Sequence, residues 1–206
     1  MSLIVQLGIG STVYNFCLLS LKFVIIIKIM GRGICGMAEY FDLYTRNKQK
    51  TGKTLLRGTA MDKDDYRYVV HVLVVNDKNE LLIHQRHQNK DSYPNMWAFS
   101  ASGSVIAGET SQQGASRELA EELGIIHDFS KDAPLMSYTK QNYFIDYYLL
   151  KKNVAIDTLV VQCQEVQDVK WVSQDDCLAM VNKGEFIPYV FIPYLWNFFD
   201  IDSIHL

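Results

Sequence analysis

Glu118, Glu121 and Glu122 are the residues of this chain best spaced to do chemistry together. Residues three and four apart share one face of a helix, so a helix through them crowds three carboxylates into a patch about one turn long. Like charges at that spacing weaken a helix, and a divalent cation removes the conflict. Hard oxygen donors of this kind suit Mg2+, with Mn2+ as a substitute. The stretch that carries them, GSVIAGETSQQGASRELAEELGI from Gly103 to Ile125, opens as a loop bounded by Gly103 and Gly108 and continues as a helix.

The elements that must position these acids can be read outward from that helix. Thr110 or Ser111 can cap its N-terminus, and Gly124 stops it, so it spans about 111–123. Ala115, Leu119 and Leu123 recur every four residues as its buried stripe. Gly114 costs about 1 kcal/mol in a helix interior, which implies close packing against a sheet. Trp97–Ser102 is a short strand that delivers the chain into Gly103. Tyr68–Asn76 is β-branched and almost continuously apolar, a strand buried on both faces, with Glu80–Arg86 as its hairpin partner. His71, inside the first of these, reads as a structural histidine. Arg86 ends the second beside the polar loop HQNKDSYPN and is a candidate contact for a substrate phosphate.

Residues 39–58 read as a hairpin turning at NKQKTGK, and 60–66 as a polar linker. Downstream, Leu135–Tyr138, Tyr143–Leu150, Val154–Val161 and Val166–Val172 are strand candidates. Ser173 then caps a second helix with Asp175 and Asp176 in its first turn, where the helix dipole favours negative charge. That helix ends at Gly184. The aromatic segment 186–199 (FIPYVFIPYLWNFF) is expected to cover the core, with a homodimer interface as the alternative.

The 206 residues suit one domain with extensions. A net charge of −3 gives no footprint for a nucleic-acid polymer. Cys17, Cys35, Cys163 and Cys177 have no metal-finger spacing and read as thiols in a reducing compartment.

The stretch 103–125 resembles the Nudix box, G-x5-E-x7-R-E-U-x-E-E-x-G-U, where U is a bulky aliphatic residue. Gly103, Glu109, Arg117, Glu118, Leu119, Glu121, Glu122, Gly124 and Ile125 fill every defined position. The resemblance implies an α/β fold, an α/β/α sandwich around a mixed β-sheet, here with an N-terminal β-hairpin extension. It implies a Mg2+-dependent hydrolase that cleaves a nucleoside diphosphate linked to a group X, or a related organic diphosphate, by water attack on phosphorus. Glu118, Glu121 and Glu122 match the metal-holding acids, Glu109 the loop glutamate that reaches metal through water, and Arg117 the arginine that orients them. The carbonyl of Ser102 matches a further metal ligand. Many members use another glutamate upstream of a tryptophan strand, for which Glu165 is the candidate. The general base is Glu118, Glu121 or Glu165.

The segment from Asp42 to Glu109 also resembles the isopentenyl diphosphate isomerase branch of the same superfamily. The isomerase needs a cysteine at the position of Ser102 and a histidine at that of Ser104, so the expectation stays with hydrolysis. A module that only binds nucleotides is the other alternative, although such modules usually lose box glutamates and this chain keeps them.

Residues 3–30 are apolar, but Gln6, Asn15 and Lys22 interrupt them. No basic residue precedes the run and no signal-type cleavage site follows it. A weak hydrophobic leader is one reading. The favoured one makes Met37 the natural start and 1–36 upstream translation, because Gly31-Arg32-Gly33 can be encoded by a purine-rich, ribosome-binding-like run. Residues 1–36 carry three basic residues and no acid, which leaves 17 Lys and Arg against 23 Asp and Glu in 37–206. That balance suits a cytoplasmic protein without stable membrane association. Residues 37–206 are then one domain, with the hairpin at 39–58, the core at about 66–184 and the apolar segment at 185–206.

Overall fold

A run of nine residues, Arg67–Val75, forms the strand around which the rest of the sheet assembles. The computed structural model describes residues 38–199; the readings of 1–36 fall outside them. Two strands, β1 (Tyr40–Tyr44) and β2 (Lys50–Leu56), form the N-terminal antiparallel hairpin. They are followed by β3 (Arg67–Val75), β4 (Leu81–Arg86), β5 (Trp97–Ala98) and β6 (Ala101–Ser104). Helix α1 (Ser111–Leu123) comes next, then β7 (Met136–Lys140), β8 (Tyr143–Lys151), β9 (Val166–Val172) and helix α2 (Gln174–Asn182). A 3-10 segment, Ile192–Phe198, ends the described chain.

The sheet is mixed. β3 pairs parallel with β8 over its whole length, Arg67 opposite Tyr143 through Val75 opposite Lys151. The other pairings, β3 with β4 and β6, β4 with β5 and β9, and β7 with β8, are antiparallel. A strand in the middle of such a sheet presents alternate residues to opposite faces. Val70, Val72 and Val74 pack with Ala115, Leu119 and Leu123 of α1. Leu73 and Val75 pack with Cys177 and Met180 of α2 and with Phe186, Ile192, Leu195 and Trp196 of the C-terminal segment. Each buried Val, Leu, Ile, Phe or Met side chain among them contributes about 1.5–3 kcal/mol. The result is helix, sheet, helix, as expected, with the aromatic segment 186–199 in the role of core cover.

The helix bounds follow from local chemistry. Thr110 accepts from the amide of Gln113 while Gln113 accepts from the amide of Thr110, a reciprocal cap. Gly124 takes φ 69°, the left-handed turn that glycine permits. At Gly114 an added Cβ would lie 3.0 Å from Val105 Cγ2, so close packing explains a glycine inside this helix. Ser111 donates to the buried Asp146, which also accepts from Ser137, and this pins the start of α1 to the sheet.

Two details differ from the sequence reading. Residues 97–102 do not form one strand: β5 pairs with β4, and the chain crosses at Phe99 and Ser100 to pair β6 with β3. Ser100 holds the crossing by donating to the Leu82 carbonyl and accepting from the Val74 amide. Nor is 154–161 a strand. It contains a 3-10 turn, Ile156–Thr158, and the amides of Val160 and Gln162 donate to the carbonyls of Leu123 and Glu122. The end of α1 thus takes the hydrogen bonds that a sheet edge would have taken.

Candidate active site

β6 and α1 carry the site between them. The β5-to-β6 crossing sets Gly103 directly against Glu118: a Cβ at residue 103 would fall 2.0 Å from Glu118 Oε1. Only a residue without a side chain lets the carboxylate lie there. The amide of Ser102 donates to Glu122 Oε2 at 3.0 Å. Glu118 and Glu122 are buried, at 8% and 2% exposure, while Glu121 on the same face reaches solvent.

Arg117 collects the remaining oxygens. Its Nε donates to Glu109 Oε1 at 2.8 Å and its Nη2 to Glu109 Oε2 at 3.1 Å. Nη1 donates to Glu118 Oε1 at 2.8 Å and to Glu121 Oε2 at 3.0 Å, and Nη2 also donates to the Ser104 carbonyl. Burial alone would lower the arginine's pKa, but the charges of Glu118, Glu109 and Glu121 outweigh it and hold it above its ordinary value. The carboxyls move in the sense expected of crowded, desolvated acids. Burial pushes Glu118 up to about 7 against the pull of Arg117. It raises Glu122 well above the ordinary carboxylate range, with help from the Glu118 and Glu165 charges. Glu121 is raised too, by burial.

Glu165 lies near enough for its charge to raise all three helix acids. Its carboxylate pairs with Lys90 at 2.9 Å, and its carbonyl accepts from the His87 amide. Arg86 is near enough to lower the pKa of Glu122 and is held by the Ser92 carbonyl at 3.0 Å. The candidate site acids and arginines, Glu109, Glu118, Glu121, Glu122, Glu165, Arg117 and Arg86, thus gather around β6 and one face of α1.

Other neighbours were not read as site residues. His84 lies 3.8 Å from Glu122, buried, with its Nδ1 on the Ser100 carbonyl and its Nε2 without a partner. Burial lowers its pKa to about 4. His71, read as structural, is also buried with an unpartnered Nδ1 and is ringed by Phe99, Tyr147 and Tyr189. Lys90 sits in the loop already noted as polar, but its pairing to a residue 75 positions away carries no local signal. Tyr189 reaches Phe99 because the amide of Ile187 donates to Trp97 and that of Trp97 to Glu185.

The donor set fits a divalent cation in its chemistry. Two buried carboxylates lie on one helix face, each raised first by burial, with a third and a fourth within reach. Among the described residues, no three acids, histidines or cysteines already converge on one point that could hold a metal ion. Arg117 explains this, since it draws Glu109, Glu118 and Glu121 to itself while Glu122 turns to the Ser102 amide. A cation bound here would have to compete with the guanidinium.

The raised carboxyl pKa values have a consequence for stability. A folded protein that binds protons more tightly than its unfolded chain loses stability as pH rises between the two pKa values. His71 and His84, lowered by burial to about 3 and about 4, act in the opposite direction, but only below about 6.5. From pH 6.5 upward through about 7 the acids act unopposed, with Glu122, also raised, adding to the effect. The melting temperature in EDTA is expected to fall across that interval and to fall less with saturating Mg2+. A thermal melt series that is flat in EDTA would show that these carboxyls are not held protonated.

The model of the NUDIX domain matches residues 65–195. An uncharacterized Nudix hydrolase of Listeria monocytogenes is 41% identical over 167 residues, covering 81% of this chain and 99% of that one. An isopentenyl-diphosphate Delta-isomerase of Corynebacterium diphtheriae is 28% identical over 131 residues, 59% of this chain and 70% of that one. A crystal structure from Deinococcus radiodurans superposes with a TM-score of 0.62 at 24% identity, over 77% of this chain and 98% of that one. The fold and the acid-bearing helix are those of a Nudix domain. This chain belongs to the Nudix family, the family of the hydrolases to which it is similar.

Proposed function

We propose that the protein is a Mg2+-dependent hydrolase that splits a diphosphate linkage, in a nucleoside diphosphate linked to X or a related organic diphosphate, by water attack on phosphorus. The observation that carries this reading is the cluster of Glu118, Glu121 and Glu122 on one face of α1, backed by Arg117 and Glu109 and closed by Gly103. Glu118, Glu121 and Glu122 would hold the cation, with Glu109 and the Ser102 carbonyl completing the donor set. When bound, the cation neutralises diphosphate charge and stabilises the leaving oxygen. Arg117 holds Glu109, Glu118 and Glu121 in register before the cation arrives. Glu118, Glu121 or Glu165 would accept the proton from water, and the exposure of the Glu121 and Glu165 side chains, 45% and 35%, favours those two. Arg86 and Lys90 line the same side and would meet the phosphates.

The isomerase reading has less support. Ser102 and Ser104 stand where that chemistry needs a cysteine and a histidine, and Ser104 Oγ accepts from Arg67. A cytoplasmic setting and a single domain over 37–206 accord with the acidic balance of that span. They also accord with the lack, among the described residues, of a helix long and apolar enough to cross a membrane.

The test is a panel of nucleotide sugars, dinucleoside polyphosphates, ADP-ribose, NADH, CoA and prenyl diphosphates in 18O-water with Mg2+. Hydrolysis with one labelled oxygen on a phosphate product is the expected result. Double-bond migration in isopentenyl diphosphate without phosphate release would overturn it in favour of the isomerase. Ligand-induced stabilisation without turnover of any compound would favour a binding module.

A further inference from the structure

The N-terminal hairpin forms a cleft against the start of β3. It encloses about 260 Å3 and is lined by Phe41, Arg57, Gly58, Thr59, Arg67 and Tyr143 among others. Arg67 is fixed in it from three sides. Its guanidinium carbon lies 4.3 Å from the Phe41 ring centre and 4.9 Å from that of Tyr143, and its Nη1 donates to Ser104 Oγ at 2.6 Å. Arg57 lies over the same Phe41 ring at 5.3 Å. Two guanidiniums thus share one aromatic ring in one cleft.

Of these two charges, only that of Arg57 is paired with a carboxylate among the described residues. Arg57 pairs with Glu39 at 2.6 Å, but both side chains are about half exposed, and such a pair is worth little and exchanges easily. Among the described residues, no carboxylate lies within ion-pairing distance of Arg67. An arginine held by two rings and a serine hydroxyl has already lost side-chain freedom, so an oxyanion that meets its fork costs less further ordering. The cleft also adjoins the proposed catalytic centre. Ser104, which accepts from Arg67, gives its carbonyl to Arg117 and follows Gly103 directly. Where the isomerase branch would carry a histidine, this chain has a serine that orients an arginine.

We propose that this cleft is a second anion subsite, in which Arg67, with Arg57 at the mouth, holds a phosphate group of X while the scissile diphosphate lies at Glu118, Glu121 and Glu122. The place of the diphosphate rests on the hydrolase reading above; the anion site itself does not. It follows that the preferred substrate carries a phosphate beyond the diphosphate that is cleaved, on the side facing the hairpin. Phe41 and Tyr143 would then flank the part of X that bears this group.

Binding of inorganic phosphate to the full chain in EDTA tests the site without any turnover. Calorimetry is expected to give a dissociation constant in roughly the millimolar range, and the Arg67 Nε–H resonance, assigned with Arg67→Lys, is expected to shift on titration. Arg67→Met keeps the stacked length and removes the charge; it should weaken phosphate by about tenfold or more, with Arg57→Met weakening it less. Acetate, which lacks the tetrahedral oxygens, should bind more weakly than phosphate. With Mg2+, Arg67→Met should raise KM for a substrate bearing the extra phosphate about tenfold more than for the same compound without it. Unchanged phosphate affinity in Arg67→Met and an unmoved Arg67 resonance would overturn the subsite and assign Arg67 to holding the hairpin. If Arg67→Met does not fold, the resonance shift and Arg57→Met decide the question. Phosphate binding at Arg67 without hydrolysis of any diphosphate would sink the hydrolase reading and leave the anion site standing. Hydrolysis without phosphate binding would do the reverse.

Discussion

Glu122→Gln is expected to slow turnover about a thousandfold or more while the protein stays folded. Glu122 is 2% exposed and is one of the two acids for which burial in this cluster is nearly complete. Its carboxyl is raised well above the ordinary range, by burial first and then by the Glu118 and Glu165 charges. Burial thus penalises the charged form of Glu122 in the absence of a cation, and glutamine is close to an isostere of the neutral form. The amide oxygen of glutamine can still accept from the Ser102 amide, which now spans 3.0 Å to Glu122 Oε2. Glutamine cannot supply the negative charge that a divalent cation requires. The melting temperature in EDTA at pH 8 should thus match or exceed that of the wild type, while the rise on adding Mg2+ should shrink sharply. Steady-state rates and melts with and without EDTA check both halves. A rate near wild type would remove Glu122 from the metal assignment.

Arg117→Met should have the largest effect on stability. The guanidinium serves Glu109, Glu118 and Glu121 at once and holds the Ser104 carbonyl as well. Its own side chain is 21% exposed, and those of Glu109 and Glu118 are 18% and 10%. Removing one partner from a buried ion cluster leaves uncompensated charge and costs roughly 3–5 kcal/mol. In a domain of this size that lowers the melting temperature on the order of 10 °C. Glu121, 45% exposed, contributes little to that figure. The role of the arginine is distinguished from simple packing by its dependence on the cation. If Arg117 substitutes for the cation in the metal-free protein, the gap between variant and wild type narrows at saturating Mg2+. A gap of equal size with and without Mg2+ would make Arg117 a packing residue only.

The two substitutions probe the same feature from opposite sides. A patch of crowded carboxylates is held together by one arginine, with which the proposed cation would have to compete. Glu122 stands apart from that arginine, on the Ser102 amide and near His84, and is thereby open to a cation without first breaking an ion pair.

Much of helix α1 is legible in the amino-acid sequence. Its caps at Thr110 and Gly124, its stripe of Ala115, Leu119 and Leu123, and the shared face of its acids depend on residues at most four apart. Such relations are properties of the local backbone. The nine-position box is likewise a local pattern, and the family follows from it. The double-sided burial of β3 is legible for a similar reason, since a continuous β-branched run has no polar face to turn outward.

The tertiary structure alone decided the rest. Whether 154–161 joined the sheet depended on where the end of α1 left its carbonyls, and those lie more than thirty positions back in the chain. The split of 97–102 into two strands depended on a buried serine meeting both Leu82 and Val74. Glu165 could be chosen from its place before a tryptophan, but its approach to Glu118, Glu121 and Glu122 required β9 to pair with β4. Arg67 gave no signal at all in the linear chain. Its meaning comes from Phe41, Tyr143 and Ser104, three residues from three separate elements that meet only when the hairpin folds onto the sheet. Local spacing along the backbone determined which side chains share a helix face, and long-range packing determined which charges have company.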